Sequence, residues 1–114
     1  MNIDDYFYYD ENGIRKISLD SARQLQDDLL TLLSPFFGRV LNAQWDKETI
    51  DRKTLTLFGH DNGLIINVDI CIPFPEMTFY KVRDSQYSDD VSVLLEFRDF
   101  DKMLVYLKNP RLEK

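Results

Sequence analysis

The chain has 114 residues, 44% of them hydrophobic, which is enough apolar surface to fold as one domain over residues 1–114 and excludes an intrinsically disordered segment. Twenty Asp and Glu against 14 Lys and Arg give a formal net charge of −6, so nucleic acid is not an expected partner. Cys71 is the single cysteine, the first residues do not have the pattern of a signal peptide, and no apolar run approaches the roughly 18 residues of a membrane span. We therefore expect a cytoplasmic protein with no membrane association.

The first predicted element is a hairpin that contains the run "DDYFYYDENG", residues 4–13. Asn12-Gly13 is typical of a two-residue type I′ turn, which would pair residues 5–11 with residues 14–18. This register sets Asp10 opposite Arg15 and Tyr8 opposite Ile17. Successive side chains of a strand point to opposite faces, so Tyr6 and Tyr8 would face one way and Phe7 and Tyr9 the other. Either both pairs are buried or one pair faces solvent, and the acids that flank the run favour the second. The pattern leaves open whether the hairpin extends the main sheet or stands apart.

A helix is predicted over residues 19–33, with Ser18 or Asp20 as its N-cap. Its apolar positions follow helical spacing: Ala22, Leu25, Leu29, Leu32, Leu33 and Phe36. Ser34-Pro35 is expected to interrupt this helix, and a short second helical piece would run through Phe37. Trp45 is then expected in a charged loop that reaches to about Lys53.

A second Asn-Gly, at residues 62 and 63, predicts a hairpin whose two alternating patterns agree. Counting outward from the turn pairs Leu57 with Val68 and Leu55 with Ile70 on one face, and Thr56 with Asp69 and Phe58 with Asn67 on the other. We expect the first face to be the core side: Leu55, Leu57, Ile66, Val68, Ile70 and Ile72.

Two more strands are predicted, over residues 77–83 and 91–97, followed by a helix that Asp99 caps and that ends before Pro110. The apolar face of this helix comprises Phe100, Met103, Leu104 and Leu107. The expected fold class is therefore α+β, an antiparallel sheet of about four to six strands with two main helices packed on one face.

Residue types that carry catalysis or bind metals are scarce. The predicted register separates His60, the single histidine, from Cys71 by about 20 Å along the strand ladder, too far for a thiol–imidazole pair. One His and one Cys do not make a zinc site, and "DSQYSDD", residues 84–90, does not have the residue order of a calcium loop. There is no Gly-rich phosphate loop. We predict no catalytic residues, no metal and no cofactor, and thus a protein that is not an enzyme.

Two stretches combine acids with tyrosine, the side chain that commonly anchors protein–protein contacts. They supply the predicted partner-binding residues: Asp4, Asp5, Tyr9, Asp10 and Glu11 from the first, and Asp84, Tyr87, Asp89 and Asp90 from the second. The other interpretation is ordinary polar surface with some of the aromatic rings turned inward.

In size, acidity, α+β order and the absence of catalytic groups, the whole chain resembles the small acidic immunity proteins that bacteria make against their own nuclease toxins, including those of contact-dependent growth inhibition. The resemblance implies an inhibitor that covers a basic cleft with carboxylates. We therefore expect a monomer that binds one cognate basic protein, a toxin domain. A secretion or assembly chaperone is the alternative, and a small enzyme of unknown class is a third.

Overall fold

The computed structural model describes residues 1–45, 54–61, 63–84 and 93–109, apart from the side chains of residues 39 and 93. Its strands are β1 (Tyr8–Tyr9), β2 (Arg15–Lys16), β3 (Asn42–Trp45), β4 (Thr54–Asp61), β5 (Leu64–Cys71), β6 (Phe79–Asp84) and β7 (Val93–Phe97). The helices are α1 (Leu19–Phe37) and α2 (Phe100–Lys108), and 3-10 turns span Ile3–Tyr6, Gly38–Val40 and Pro75–Met77. Strands β3 to β7 form an antiparallel sheet in chain order, and β1 and β2 form a separate two-stranded sheet. The α+β class with a four- to six-stranded antiparallel sheet is confirmed.

The central hairpin, β4 and β5, has the register that the sequence predicts. Leu55 pairs with Ile70, Leu57 with Val68, Thr56 with Asp69 and Phe58 with Asn67. The six residues of the predicted core face are all at most 3% exposed. Register is strongly specified here because a one-residue slip would bury polar side chains of the opposite face.

Helix α1 continues through Pro35, so the predicted interruption at residues 34 and 35 is wrong. Proline has no N–H to donate to the carbonyl of the residue four positions earlier, here Thr31. The Ser34 hydroxyl donates to that carbonyl oxygen at 3.3 Å and partly replaces the missing bond. The N-cap is Ser18, whose hydroxyl accepts from the Ser21 N–H at 3.1 Å, and the helix ends at Gly38. Four residues at a spacing of four form its buried stripe: Leu25, Leu29, Leu33 and Phe37.

Strand β3 was not predicted, and it corrects the expected loop around Trp45. Trp45 lies opposite Leu55, and Ala43 lies opposite Leu57, so β3 adds an edge strand beside β4. Ala43 and Trp45 are half-buried whereas Asn42 and Gln44 are exposed. Four residues are too few for this alternation to stand out in the sequence. The remainder of the expected loop, residues 46–53, lies outside the described residues.

The C-terminal elements agree with the sequence pattern. Strand β6 begins at Phe79 because a 3-10 turn occupies Pro75–Met77, and β7 pairs with β6 over Val93–Phe97. The Asp99 carboxylate caps α2 by accepting from the Lys102 N–H at 2.8 Å, as predicted. Phe100, Met103 and Leu107 of α2 belong to the same buried cluster as the stripe of α1 and the core side of the sheet.

The N-terminal hairpin differs from its predicted register by one residue. Tyr8 pairs with Lys16 and Tyr9 with Arg15, because the loop has three residues rather than two. The Asp10 carbonyl accepts from the Gly13 N–H at 3.0 Å, and Gly13 has φ of 76°. The Asp10 carboxylate accepts from two backbone N–H groups, that of Asn12 at 2.8 Å and that of Ile14 at 2.9 Å. A type I turn followed by a left-handed glycine is the usual three-residue hairpin loop.

Candidate functional site

Arg15 holds the N-terminal hairpin against the end of β5. Its guanidinium donates from Nε to the carbonyl oxygen of Ile72 at 2.6 Å and from Nη2 to that of Cys71 at 2.7 Å. Nη1 lies 3.3 Å from the Asp4 carboxylate, and the ring of Phe7 packs beneath the guanidinium at 4.1 Å. Arg15 is 4% exposed. The hairpin is thus fixed in position although it shares no strand pairing with the five-stranded sheet.

Two of the four consecutive aromatic rings face solvent. Tyr8 is 51% exposed and Tyr9 is 64% exposed, so the exposed rings are neighbours in sequence and not the alternate pair that the strand pattern predicts. Tyr6 and Phe7 are half-buried and pack against the core cluster. The hydroxyl of Tyr6 donates to the Asp28 carboxylate of α1. Burial, followed by the hydrogen bond to Asp28 and its negative charge, raises the pKa of Tyr6 to about 12.

Of the four predicted acids of the first stretch, two form ion pairs and two do not. Asp4 pairs with Arg15, and Asp10 caps its own turn and lies 3.4 Å from the Lys16 ammonium. The hydrogen bond from the Ile14 N–H is the main reason why the pKa of Asp10 is lowered. Asp5 and Glu11 are exposed, and neither forms an ion pair with any residue of the described ranges. We call Asp5, Tyr8, Tyr9 and Glu11 the N-terminal surface.

Asp84 does not contribute to an exposed acidic surface, contrary to the expectation from the sequence. Its side chain is fully buried at the end of β6, opposite Leu64 and Val93, and it accepts a hydrogen bond from the Tyr106 hydroxyl at 3.2 Å. A carboxylate that is fully buried is not available for contact with a second protein in this conformation. The other predicted residues of this stretch, Tyr87, Asp89 and Asp90, lie outside the described residues.

A pocket of about 480 Å³ opens between the N-terminal segment, β6 and the start of α2. Its lining contains acidic side chains, basic side chains and two hydroxyls: Asp4, Asp99 and Asp101, Arg15 and Arg98, and Thr78 and Tyr80. Tyr80 is 5% exposed, and its ring meets the edge of Phe100 at 6.1 Å. The volume lies within the range of small-molecule sites.

His60 and Cys71 lie apart, as the register of β4 and β5 requires. His60 pairs with Ile65, six residues from Cys71, which corresponds to about 20 Å along the ladder. His60 is exposed beside Phe58, and Cys71 is buried. In the part of the chain that the structure describes, no three His, Cys, Asp or Glu side chains converge as a metal site. None of the described helices is long and apolar enough to cross a membrane.

Comparison with protein families, curated proteins and solved structures found no match to this chain.

Sequence reasoning missed three features of this region. Tyr8 was not among the predicted binding residues, although it is exposed beside Tyr9. Arg15 was expected opposite Asp10, and it instead lies opposite Tyr9 and is buried against the end of β5. The pocket that contains Tyr80 was not predicted at all. Asp at the first position of "DENG" and Gly at the fourth are typical of a type I turn, and this signal could have given the correct hairpin register.

Proposed function

We propose that this protein is an inhibitor of the immunity type, which binds and neutralises a cognate basic toxin, such as a nuclease, through the N-terminal surface. The observation that carries the proposal is the exposure of Tyr8 and Tyr9 between two unpaired acids, Asp5 and Glu11. Exposed tyrosines supply large, rigid contact areas, and they are enriched among the residues that dominate binding energy.

The fixed position of the hairpin supports this proposal. Arg15 ties β2 to the carbonyl groups of residues 71 and 72, and Ile17 is buried in the core. A surface that is already ordered loses less conformational entropy when a partner binds. The N-terminal surface therefore has the pre-organisation that a tight inhibitor needs.

Electrostatics favour a basic partner. The whole chain has a net charge of −6, and the acids of the N-terminal surface are not offset by described lysines or arginines. Complementary charge mainly accelerates association, and salt screens it. We place this activity in the cytoplasm, where the single thiol, Cys71, stays reduced.

We further infer that both helices cover the same face of the sheet. Residues of α1 and α2 share one buried cluster with the core side of β4 and β5, while the alternate positions, such as Thr56 and Phe58, are exposed.

The test is affinity capture from a lysate of the native host, followed by kinetics with the purified captured protein. We expect a basic partner whose association rate falls steeply between about 0.05 and about 0.5 M salt. Tyr9→Ala is expected to weaken binding roughly 10-fold or more, as for a central aromatic contact. A captured protein that is acidic, or an association rate that does not respond to salt, would contradict the proposal.

Asp61→Asn is a matched control for Glu11→Gln, because each removes one exposed acid. Asp61 lies at the turn end of β4, and Thr54 lies at the other end of this strand, seven residues away. Thr54 pairs with Cys71, whose carbonyl oxygen accepts from Arg15, so the other end of β4 is the one near the N-terminal hairpin. This separation is about 23 Å. Glu11→Gln should slow association, whereas Asp61→Asn should leave it nearly unchanged.

A secretion or assembly chaperone is the second candidate, and the open face of the sheet favours it. Phe58 and Leu94 are exposed there, next to polar contacts such as the Thr56–Asp69 hydrogen bond at 2.6 Å. Exposed apolar side chains and edge strands are the features that bind extended clients. Light scattering distinguishes the two: a homodimer that binds a non-globular client supports the chaperone, and a monomer that binds a folded basic protein supports the inhibitor.

A further inference from the structure

The pocket between the N-terminal segment, β6 and α2 contains a buried hydroxyl without a partner. Tyr80 is 5% exposed, and no group of the described residues forms a hydrogen bond with its hydroxyl. Nearly all buried polar groups in native proteins have a hydrogen-bond partner, because an unpaired buried hydroxyl is destabilising. The Tyr80 hydroxyl therefore points to a hydrogen-bonding group that a bound molecule supplies.

The hydroxyl interacts electrostatically with four charged side chains of the pocket, Arg15, Asp4, Asp99 and Asp101. Burial raises the pKa of Tyr80 to about 12, Arg15 opposes this rise, and Asp4, Asp99 and Asp101 add to it. Tyr80 thus keeps its proton at neutral pH and is available as a donor. Its ring is held against Phe100, which fixes the direction of the hydroxyl.

The cations of the lining differ in what they already bind. Arg15 is committed to the carbonyl oxygens of residues 71 and 72 and to Asp4. The ammonium group of Met1 donates to the Asp101 carboxylate at 2.9 Å. Arg98 is exposed at the pocket and has no ion pair with any residue of the described ranges. An uncommitted guanidinium and a phenol donor within one pocket match a carboxylate, which accepts several hydrogen bonds.

The acids of the lining indicate a second group on the same ligand. Asp4 pairs with Arg15, and Asp101 pairs with the ammonium group of Met1 at 2.9 Å. Asp99 is the acid of the lining that has no ion pair with any described residue, and its charge would attract an ammonium group. Asp99 caps α2 through one carboxylate oxygen, and the other oxygen has no described partner. A ligand with an ammonium group beside its carboxylate would meet both sets of charges.

We infer that this pocket binds a small zwitterion, an α-amino acid, whose carboxylate lies on the Tyr80 hydroxyl and the Arg98 guanidinium and whose ammonium group lies on Asp99. The pocket volume of about 480 Å³ accommodates such a molecule with its side chain. This site is independent of the proposed inhibitor function, because neither Tyr80 nor Arg98 belongs to the N-terminal surface.

The experiment is titration of the full chain with free L-amino acids, one at a time, followed by amide chemical shifts. We expect saturable shifts at residues 78–80 and 98–101 for at least one amino acid. Its two matched analogues, one without the amino group and one without the carboxylate, should each bind at least about 5-fold more weakly, the loss of one charged hydrogen bond. Inorganic phosphate, which has no ammonium group, should not compete.

Tyr80→Phe tests the hydroxyl alone, since the ring contact with Phe100 is kept. We expect it to weaken binding about 5- to 10-fold, equivalent to one hydrogen bond, and Arg98→Gln to weaken it at least as much. Arg83→Gln, which removes an exposed guanidinium of β6 outside the pocket lining, should bind as the unchanged protein does. Absence of saturation for every amino acid would mean that water satisfies the hydroxyl, and the inference would be wrong. Equal binding of the analogue without an amino group, or unaltered affinity in Tyr80→Phe, would also overturn it.

Discussion

The Nε of Arg15 lies 2.6 Å from the carbonyl oxygen of Ile72, so that a residue of the N-terminal hairpin completes the hydrogen bonding of the chain just after β5. Nη2 does the same for Cys71 at 2.7 Å. These two bonds join segments that are 57 and 56 positions apart in sequence. Arg15 therefore fixes the N-terminal surface in position together with the buried Ile17 and the Tyr6–Asp28 hydrogen bond.

Arg15→Met should destabilise the protein strongly, because it leaves two buried carbonyl groups without donors. Hydrogen bonds that involve a charged group contribute more than neutral ones, and we expect a loss of about 2–4 kcal/mol in the free energy of unfolding. Urea denaturation measures it. Lys16→Met, at the exposed neighbouring position, is the control and should change the midpoint far less. Equal midpoints for the two variants would show that Arg15 does not hold the hairpin.

Gly13→Ala tests the hairpin loop, since Gly13 has φ of 76° with nothing within 4 Å of an added Cβ. The cost is thus conformational rather than steric, and we expect about 1–2 kcal/mol of destabilisation. Gly13→Asn should recover part of it, because Asn adopts the left-handed region more readily. Thermal unfolding of the two variants side by side measures the difference. Identical melting temperatures for both would contradict the three-residue loop.

Gly59→Ala should destabilise the contact between β4 and the end of α1. A Cβ at this position would lie 3.0 Å from Cγ of Phe37 and 3.1 Å from Cδ1 of Leu41. Phe37 is fully buried and has little room to move, so overpacking of about 1–3 kcal/mol outweighs the better strand propensity of alanine. His60→Ala, at the next and exposed position, is the control. A higher urea midpoint for Gly59→Ala would show that the Phe37 ring moves aside easily.

The sequence predicted best where burial alone decides the structure. In β4 and β5 two alternating patterns constrain each other, so the pairing of Leu57 with Val68 followed from counting residues. The N-terminal hairpin has no such check on β1, because Tyr8 and Tyr9 are both exposed. There the turn decides the register, and the Asp10 side chain selects a three-residue loop over the two-residue one.

The candidate sites depended on contacts between distant segments, which no local pattern contains. Asp84 looked like part of an exposed acidic stretch, yet Tyr106 of α2 lies over it. Tyr80 lies within the strand predicted over residues 77–83 and had no role of its own in the sequence pattern. Its unpaired hydroxyl becomes evident when the N-terminal segment and the start of α2 are placed beside it. The exposure of Tyr9, by contrast, agrees with its acidic flanks.

The pair of Tyr6 and Asp28 should make stability fall at high pH. The pKa of Tyr6 is raised to about 12, chiefly by burial and then by the hydrogen bond to Asp28, against about 10 for an unfolded tyrosine. The fold thus favours the neutral phenol. Its contribution is fully present below pH about 10 and is lost as the pH rises toward 12, because only the unfolded chain releases this proton in that interval.

Tyr6→Phe removes this proton linkage. The free energy of unfolding, measured between pH 9 and pH 12, should fall more steeply for the unchanged protein than for Tyr6→Phe, and absorbance at 295 nm should show one fewer tyrosinate forming near pH 12. Asp28→Asn separates the causes: burial remains, so the pKa of Tyr6 should move only part of the way back toward 10. If Tyr6→Phe instead removes a tyrosinate that forms near pH 10, the phenol is solvated and Tyr6 does not join the hairpin segment to α1.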